Sequence, residues 1–410
     1  MPIRREPLAV WFGEEHVATL ESGRGLRLAY TDAARRRWPL NTPLISLSMP
    51  VSTRPYPDRR AAPFFDGMLP EGDVRRMLAY DLAIPDGDTF GLLHALGRDC
   101  AGALVLVPVS AGRPPSPSLS SAEPVTDDEI ARRLADLRTA PLGVDDRVRV
   151  SLPGTQGKLL LTRTSGSWVL PINGTPSTHI LKPPIPGFDQ SVENEAFCMR
   201  LATRLGLEAA PIEIAAFAGS PVLVVERFDR HKTPSGEIIR SHQEDVCQAM
   251  SVPVRSKYEQ DGGPSLKAIA TLLRRWPLSM GVLPELLRTV VFTTVIGDAD
   301  RHGKNIAIVH EPDGTLRLAP LYDTMSTRYY SHVSVVPGMF INDVRDIDAV
   351  RAADFIAEAQ AWGMAAEAAR SEVDAFLDAL PEAIAAEAQA SAWAPERLVQ
   401  SLQSRALAAR

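Results

Sequence analysis

The stretch from Gly297 to Asn305 constrains this chain most, because it crowds polar groups between two apolar segments. Residues 286–296 before it are mostly apolar or β-branched and contain neither Pro nor Gly. Residues 306–309 after it form a short apolar run, which predicts a buried strand. Two aspartates, a histidine and a lysine therefore share one loop between two core elements. Catalytic groups are commonly positioned on loops that a rigid scaffold holds in this way.

The spacing of Asp300 and Asn305 matches the D-x-x-x-x-N of protein kinases, in which the Asp takes the hydroxyl proton and the Asn holds Mg²⁺. A later Asp in those enzymes binds the metal that bridges the phosphates. Asp323, after a second short apolar run, is placed for that role. The kinase order His-Arg-Asp is absent, because Arg301 and His302 follow the Asp. On spacing alone, a polar loop whose side chains bond to the backbone remains the alternative.

Length and composition describe an ordinary globular protein. The 410 residues suggest two or three domains, and 45% hydrophobic with 23% charged residues is typical of a chain with ample core. The net charge of −6 gives no general reason to expect a polyanion partner. The three cysteines form no C-x-x-C pair, which predicts reduced core thiols in a cytoplasmic protein. No segment approaches the ~18 apolar residues of a membrane span, so we expect no membrane contact.

A second glycine-containing loop lies between residues 151 and 158. Residues 148–150 predict a strand that enters the loop, and residues 159–161 a strand that leaves it. Gly154 and Gly157 allow backbone N–H groups to approach phosphate oxygens. No helix with Ser or Thr follows Lys158, so the pattern favours the strand–turn–strand lid of protein kinases over a Walker loop. An ordinary β-hairpin with a glycine turn is the alternative.

Three further informative segments lie between these two loops in the sequence. Residues 179–182 predict a strand that ends in Lys182, similar in position to the kinase lysine that pairs with the α- and β-phosphates. Ser191 is the predicted N-cap of a helix. Residues 221–230 predict a buried strand that runs into a polar segment, which has the form of a hinge whose backbone could meet an adenine edge.

The two ends of the chain give simpler patterns. Residues 8–12, 17–20 and 26–30 predict strands of a first domain. A Pro- and Ser-rich stretch then predicts a linker, followed by a helix that begins near Asp127. From Val350 onward, apolar side chains recur at helical spacing, which predicts core-facing helices of a C-terminal lobe.

Taken together, these motifs resemble the HipA family, the toxin kinases of bacterial type II toxin–antitoxin systems. The motifs that carry the resemblance are residues 151–158, 179–182, 191–195, 226–230, 243–245, 257–264, 300–305 and 321–323. The first domain resembles the family's N-terminal subdomain through residues 65–72 and 97–103. Gly157 is a departure, since an acidic residue is often found there in the family.

The resemblance implies an α+β, two-lobed protein-kinase-like fold. The N-terminal lobe would be β-rich with an added subdomain, and the C-terminal lobe mostly α-helical. The expected boundaries are residues 1–110 for the N-terminal subdomain, 111–126 for the linker, 127–230 for the rest of the N-lobe with phosphate loop and hinge, and 231–410 for the C-lobe with the catalytic and metal-binding loops.

The resemblance also implies ATP and Mg²⁺ as cofactors and a role for each site residue. Asp300 is the expected catalytic residue, Ser151 the expected site of autophosphorylation, and Asn305 and Asp323 the expected metal ligands. The expected nucleotide-binding residues are Pro153, Gly154, Thr155, Gln156, Gly157, Lys158, Lys182, Glu226, Arg227, Phe228, His302, Gly303, Lys304, Asn305, Tyr322 and Asp323.

The implied function is that of a toxin that phosphorylates serine or threonine in a protein target, by resemblance an aminoacyl-tRNA synthetase, and so inhibits translation and growth. The implied partner is a HipB-like helix-turn-helix antitoxin dimer, through which operator DNA would mainly be bound for autorepression. Two alternatives remain: a non-catalytic corepressor subunit, and a kinase of small molecules or lipids. Intact Lys182, Asp300, Asn305 and Asp323 argue against the non-catalytic subunit.

Overall fold

The computed structural model describes residues 5–114, 124–138, 140–144, 148–164, 166–172, 174–234 and 236–410. The chain forms two compact units. The first comprises residues 1–183, 216–220 and 224–254, and the second comprises residues 184–215, 221–223 and 255–410. Most of the Pro- and Ser-rich stretch predicted as a linker lies outside the described residues.

The first unit begins with an antiparallel sheet of order β3-β2-β1-β4. Its elements are β1 (Leu8–Phe12), β2 (Glu15–Ser22), β3 (Leu26–Tyr30), α1 (Asp32–Arg37), α2 (Asp58–Asp66), α3 (Gly72–Asp81), α4 (Thr89–Leu96) and β4 (Leu104–Pro108). The three strands predicted here are confirmed. Alternate sheet residues such as Leu8 and Leu28 bury their side chains in a core that also contains Phe64 and Phe65 of α2.

The next elements build a second sheet, of order β5-β7-β6-β8-β10-β9, which carries the glycine loop and the strand that ends in Lys182. The elements of this part of the chain, which include the strands β11 to β13 outside that sheet, are β5 (Pro124–Val125), α5 (Asp127–Ala135), β6 (Leu159–Arg163), β7 (Trp168–Val169), β8 (His179–Lys182), α6 (Ser191–Arg204), β9 (Ile212–Phe217), β10 (Ser220–Glu226), β11 (Arg230–Lys232), β12 (Ile238–Arg240), β13 (His242–Asp245) and α7 (Val246–Met250). The helix predicted near Asp127 is confirmed, with the Thr126 side chain as its cap.

Two predictions in this part of the chain are wrong. Residues 148–150 do not form a strand, because the pairing of Val148 with Ile172 is an isolated bridge that does not continue along the chain. Ser191 is the first residue of α6 and not its N-cap, a position taken by Gln190 in the left-handed region. The Ser191 hydroxyl instead accepts a hydrogen bond of 2.8 Å from the Ile185 N–H, which closes the loop before the helix.

The second unit is mostly helical. Besides α6, its elements are α8 (Leu266–Leu273), α9 (Val282–Val295), β14 (Ala307–His310), β15 (Leu316–Leu318), α10 (Ala352–Ala361), α11 (Ala366–Ala390) and α12 (Glu396–Ala408). The long helix α11 packs against α6, α9, α10 and α12. The predicted core face of the C-terminal helices is confirmed, since Phe355, Val373 and Leu377 are almost wholly buried.

Helix α11 is also fixed to α6 by charge. Glu387, buried in α11, accepts hydrogen bonds from Arg200 at 2.7 Å and from Arg204 at 2.9 Å. Helix α9 and hairpin β14–β15 flank the loop of residues 296–306, so two packed elements hold its ends. None of the helices in the described part of the chain combines the length and the hydrophobicity needed to span a bilayer.

Candidate active site

The glycine loop of the first unit is tied down at its start. The Ser151 side chain is fully buried, and its Oγ donates a hydrogen bond of 2.8 Å to the Met68 carbonyl. The Ser151 N–H donates to the Asp99 carbonyl at 2.9 Å. The Gly154 carbonyl accepts from the Glu71 N–H at 3.1 Å. The N-terminal subdomain therefore fixes the entrance of the loop.

The rest of the loop closes on itself. Lys158 is buried, and its Nζ donates to the Pro153 carbonyl at 2.6 Å. Gly154 has φ +117°, in the region that favours glycine, and a Cβ there would lie 2.6 Å from Lys158 Nζ. The Gln156 side chain donates to the Pro183 carbonyl at 3.3 Å, while Thr155 at the tip is exposed. The bond between Lys158 and Pro153 makes the loop compact around a buried ammonium group.

Lys182 and the segment after β10 complete the predicted residues of this unit. Lys182 is the last residue of β8 and is buried. Glu226 is exposed and Phe228 half-buried at the end of β10. Arg227 is buried, and its N–H donates to the Thr178 carbonyl at 2.9 Å. The Arg227 guanidinium points into the protein, where it belongs to a buried ion network.

That network joins Asp99, Arg227, Asp229 and Arg230, all at least 96% buried. Arg227 pairs with Asp229 at 2.9 Å, and Arg230 pairs with Asp99 at 2.9 Å and Asp229 at 3.0 Å. Burial alone raises the pKa of Asp229, but Arg227 and Arg230 lower it to about 2. Burial also raises the pKa of Asp99, but the neighbouring arginines hold that pKa far below its ordinary value.

The motifs at residues 97–103 and 226–230 supply this network, and their pairing was not predicted from the sequence. The signal that could have found it is the clustering of two acids and two arginines in segments that are otherwise apolar, because such charges are rarely buried unless they are paired.

The loop of the second unit that carries Asp300 follows α9. Asp300 is exposed, and its N–H donates to Asp298 Oδ1 at 3.2 Å. The Asn305 side-chain amide donates to the Asp300 carbonyl at 3.0 Å, and the His302 N–H donates to the same carbonyl at 2.8 Å. The structure therefore brings the two residues of the D-x-x-x-x-N spacing into direct contact.

His302, Gly303, Lys304 and Tyr322 surround this contact. The Tyr322 hydroxyl donates to the Lys304 carbonyl at 2.7 Å, and the Gly303 N–H donates to the Lys257 carbonyl at 3.1 Å. Burial, together with the positive charges of Lys257 and Lys304, lowers the pKa of His302 to about 3. His302 is therefore a neutral imidazole at physiological pH.

Asp323 is exposed on a turn with φ +52°, a conformation that is uncommon for residues other than glycine and recurs at functional sites. Arg301 links the loop that carries Asp300 to this turn, because its Nη1 donates to the Tyr322 carbonyl at 3.3 Å and to Thr324 Oγ1 at 3.1 Å. The sequence predicted the two aspartates but gave no role to the arginine between them.

Asp298 lies in the same loop as Asp300 and is not among the site residues predicted from the sequence. It is 97% buried, and its Oδ2 has no hydrogen-bond partner among the residues that the structure describes. Burial raises the pKa of Asp298 well above its usual value, in spite of the nearby charge of Arg301. Its Oδ1 orients the Asp300 backbone, so Asp298 supports the loop from within the protein.

Family models, individual relatives and a solved structure agree on the family of this chain. Residues 8–107 match the model of the HipA N-terminal domain, and residues 150–384 match that of the HipA-like C-terminal domain. The chain belongs to the HipA family.

Individual relatives extend this result over most of the chain. The protein Y4mE of Sinorhizobium fredii is 40% identical over 352 residues, which cover 84% of this chain and 83% of the relative. The serine/threonine-protein kinase toxin HipA of Shewanella oneidensis is 30% identical over 335 residues, which cover 78% of this chain and 76% of that toxin.

The fold of this HipA-family chain also matches a solved structure. The Shewanella oneidensis MR-1 HipA in a complex with HipB and operator DNA superposes with a TM-score of 0.83 and 25% identity, over 97% of this chain and 96% of that one. The predicted family and the predicted α+β kinase-like fold are confirmed. The roles predicted for single residues stay predictions.

The donors at the candidate site fit Mg²⁺ that arrives with a nucleotide. In the described part of the chain, no three or more His, Cys, Asp or Glu side chains form a group that could hold a metal ion. Mg²⁺ is usually held by one or two protein oxygens together with substrate phosphates and water. One carboxylate, of Asp323, and one amide oxygen, of Asn305, suit that mode.

Proposed function

We propose that this HipA-family chain is an ATP- and Mg²⁺-dependent protein kinase that phosphorylates serine or threonine. The observation that carries the proposal is the construction of the catalytic loop. Asn305 bonds directly to the Asp300 backbone, and Arg301 ties the same loop to the turn of Asp323. Phosphoryl transfer depends mainly on such positioning and on charge stabilisation.

Each predicted residue has a task in this proposal. Asp300 accepts the proton of the attacking hydroxyl, and Asn305 and Asp323 hold Mg²⁺, which neutralises charge on the transferring phosphate. The neutral His302 and the backbone around Gly303, Lys304 and Tyr322 line the same site. In the first unit, residues 153–158 cover the phosphates, Lys182 offsets their charge, and residues 226–228 meet the adenine.

The decisive experiment compares Asp300→Asn and Asp323→Asn with the wild-type chain in radiolabelled ATP, Mg²⁺ and a bacterial lysate. Loss of the base should reduce labelling by about 10²- to 10⁴-fold while ATP still binds. Loss of the Asp323 carboxylate should also weaken Mg²⁺-dependent ATP binding. Asp374→Asn, an exposed position on α11, is the matched control and should keep full activity.

Asp300→Asn that labels proteins at the wild-type rate would contradict the assignment of the base. The same lysate identifies the acceptor. Labelled serines in an aminoacyl-tRNA synthetase would support the target implied by the family, whereas label only in small molecules or lipids would overturn the protein-kinase proposal.

We further propose that Ser151 is a site of self-phosphorylation. Its hydroxyl is buried on the Met68 carbonyl, and a phosphate adds a charge of about −2 that cannot be buried there. Phosphorylation should therefore expel the loop and prevent ATP binding. Calorimetry on the phosphorylated and unphosphorylated chain should show affinities that differ at least about tenfold, whereas equal affinities would contradict the idea.

The proposed partner is a HipB-like antitoxin, because the solved relative was crystallised with HipB and operator DNA. Operator binding should come mainly from that antitoxin. The chain has net charge −6, and Arg397, Arg405 and Arg410 all donate to main-chain carbonyls of the chain itself. A salt titration tests this: the isolated chain should bind duplex DNA weakly, with a smaller salt slope than the complex.

The proposed location is the cytoplasm. The three described cysteines are buried free thiols, which agrees with that location.

A further inference from the structure

We infer that Tyr258 is a positioning residue that orients the carboxylate of Asp300. The Tyr258 hydroxyl lies 2.5 Å from Asp300 Oδ1. An ionised carboxylate only accepts hydrogen bonds, so the phenol is the donor. The two residues are 42 positions apart in sequence, and the contact exists only in the folded second unit.

Tyr258 is held rigidly where it makes this contact. Residues 256–263, here called the Tyr258 turn, fold tightly on themselves. The Gly263 N–H donates to the Tyr258 carbonyl at 2.9 Å. A Cβ at Gly263 would lie 2.5 Å from the Ser256 carbonyl oxygen, so only glycine allows this close approach.

The Tyr258 turn is also bonded to the catalytic loop and its support. The Lys257 carbonyl accepts from the Gly303 N–H at 3.1 Å, and the Tyr258 ring packs edge-on against His302 with centroids 4.9 Å apart. On the other side, the Glu259 N–H donates to the Gly338 carbonyl at 2.9 Å. Gly338 in turn donates to the Ala299 carbonyl at 2.8 Å, one residue before Asp300.

These contacts determine the kind of role that Tyr258 has. A turn fixed on both sides of the catalytic loop does not move freely, so its hydroxyl is a constant partner of Asp300. A bond to one carboxylate oxygen fixes the rotation of the carboxylate about its last torsion, which is otherwise broad. The carboxylate is then held in one orientation for the proton that Asp300 accepts from the substrate hydroxyl in the proposed reaction.

Removal of the Tyr258 hydroxyl should therefore change the rate of phosphoryl transfer and leave the affinity for the nucleotide unchanged. Loss of the Tyr258 hydroxyl should disorder the base and slow phosphoryl transfer, because small errors in the position of reacting groups cost large factors in rate. Nucleotide binding depends on other residues of the proposed site and should be unaffected. The role of Tyr258 rests on the proposed function, since Asp300 must be the base.

The test compares Tyr258→Phe with the wild-type chain in single-turnover labelling of a bacterial lysate from radiolabelled ATP and Mg²⁺. The rate at saturating ATP should fall about 10- to 100-fold. The KM for ATP and the stoichiometry of ATP binding by calorimetry should stay within about twofold, which a general loss of folded protein would not produce.

Tyr329→Phe is the matched control. It removes another tyrosine hydroxyl of the second unit, one that donates to Gln190 Oε1 at 2.7 Å. Its thermal stability should fall as much as that of Tyr258→Phe, and its labelling rate should stay at the wild-type value.

The outcomes are distinct. An unchanged rate in Tyr258→Phe overturns the positioning role and leaves the proposed function intact. A faster rate also overturns it and makes the hydroxyl a competitor of the substrate. A wild-type chain without Mg²⁺-dependent labelling overturns the proposed function, and the role of Tyr258 with it.

Discussion

Two regions in which the protein buries aspartates shift the pKa values of those side chains in opposite directions. In the first unit, Asp99 and Asp229 lie in a network with Arg227 and Arg230, and their pKa values are depressed. In the second unit, Asp298 is buried within the loop that carries Asp300, one of its oxygens has no hydrogen-bond partner among the described residues, and its pKa is raised. Both regions remove carboxylates from water, so the difference arises from their partners.

The difference shows what each region contributes. The paired network joins the N-terminal subdomain to the segment after β10, and the Asp99 carbonyl also holds the Ser151 N–H. Breaking a buried pair leaves an uncompensated charge, so the network locks one arrangement of the first unit. Asp298 is an acid whose neutral form is favoured, and it serves as a local support for the Asp300 backbone.

The largest expected effect is on the paired region. Asp99→Asn removes one of the two carboxylates that pair with the buried Arg230 and should lower the free energy of unfolding by about 3–5 kcal/mol. Urea denaturation measures this loss, and Asp81→Asn, at an exposed position of α3, is the control. A loss below about 1 kcal/mol would mean that the network adds little beyond its hydrogen bonds.

The second largest expected effect is the loss of stability in acid, which should come from the paired region. Asp99 and Asp229 have folded-state pKa values below the ordinary 3.8, so their stabilisation is complete above that value. It should be lost as pH falls from about 4 through the folded value of about 2 for Asp229. Unfolding free energies at pH 7, 5, 4 and 3 measure the slope. Asp99→Asn should flatten it, and an equally steep fall in that variant would assign the acid sensitivity to other carboxylates.

The smallest effect concerns Asp298. Its folded-state pKa is raised, so the folded chain retains a proton that the unfolded chain loses above about pH 4. Stability therefore declines as pH rises from 4 towards the folded-state pKa. Asp298→Asn keeps an acceptor for the Asp300 N–H and removes this decline.

We expect Asp298→Asn to stabilise the chain by on the order of 1 kcal/mol at pH 7 and by less at pH 4. Thermal unfolding at the two pH values measures the difference. Greater destabilisation at pH 7 than at pH 4 would indicate that Asp298 is ionised and paired with Arg301 in the folded chain.

Much of the local structure could be predicted from the sequence because it depends on short-range patterns. Alternation and turn residues gave the strands of residues 8–12 and 26–30, and helical spacing gave the buried face of α11. Two local predictions failed where the pattern was short. Residues 148–150 offer only two apolar side chains around Arg149 and contain an isolated bridge in place of a strand, and the polar Ser191 is the first residue of its helix.

The sequence by itself determined the family and the order of the motifs. It also determined that Asp300 and Asn305 lie close together, because a separation of five residues within one loop restricts their distance. Only the tertiary structure decided that Tyr258 reaches Asp300 across 42 residues and that Arg230 reaches Asp99 across 131. It also decided which aspartate is paired and which is not. These outcomes depend on burial and on partners far along the chain, and neither is encoded in the spacing of a motif.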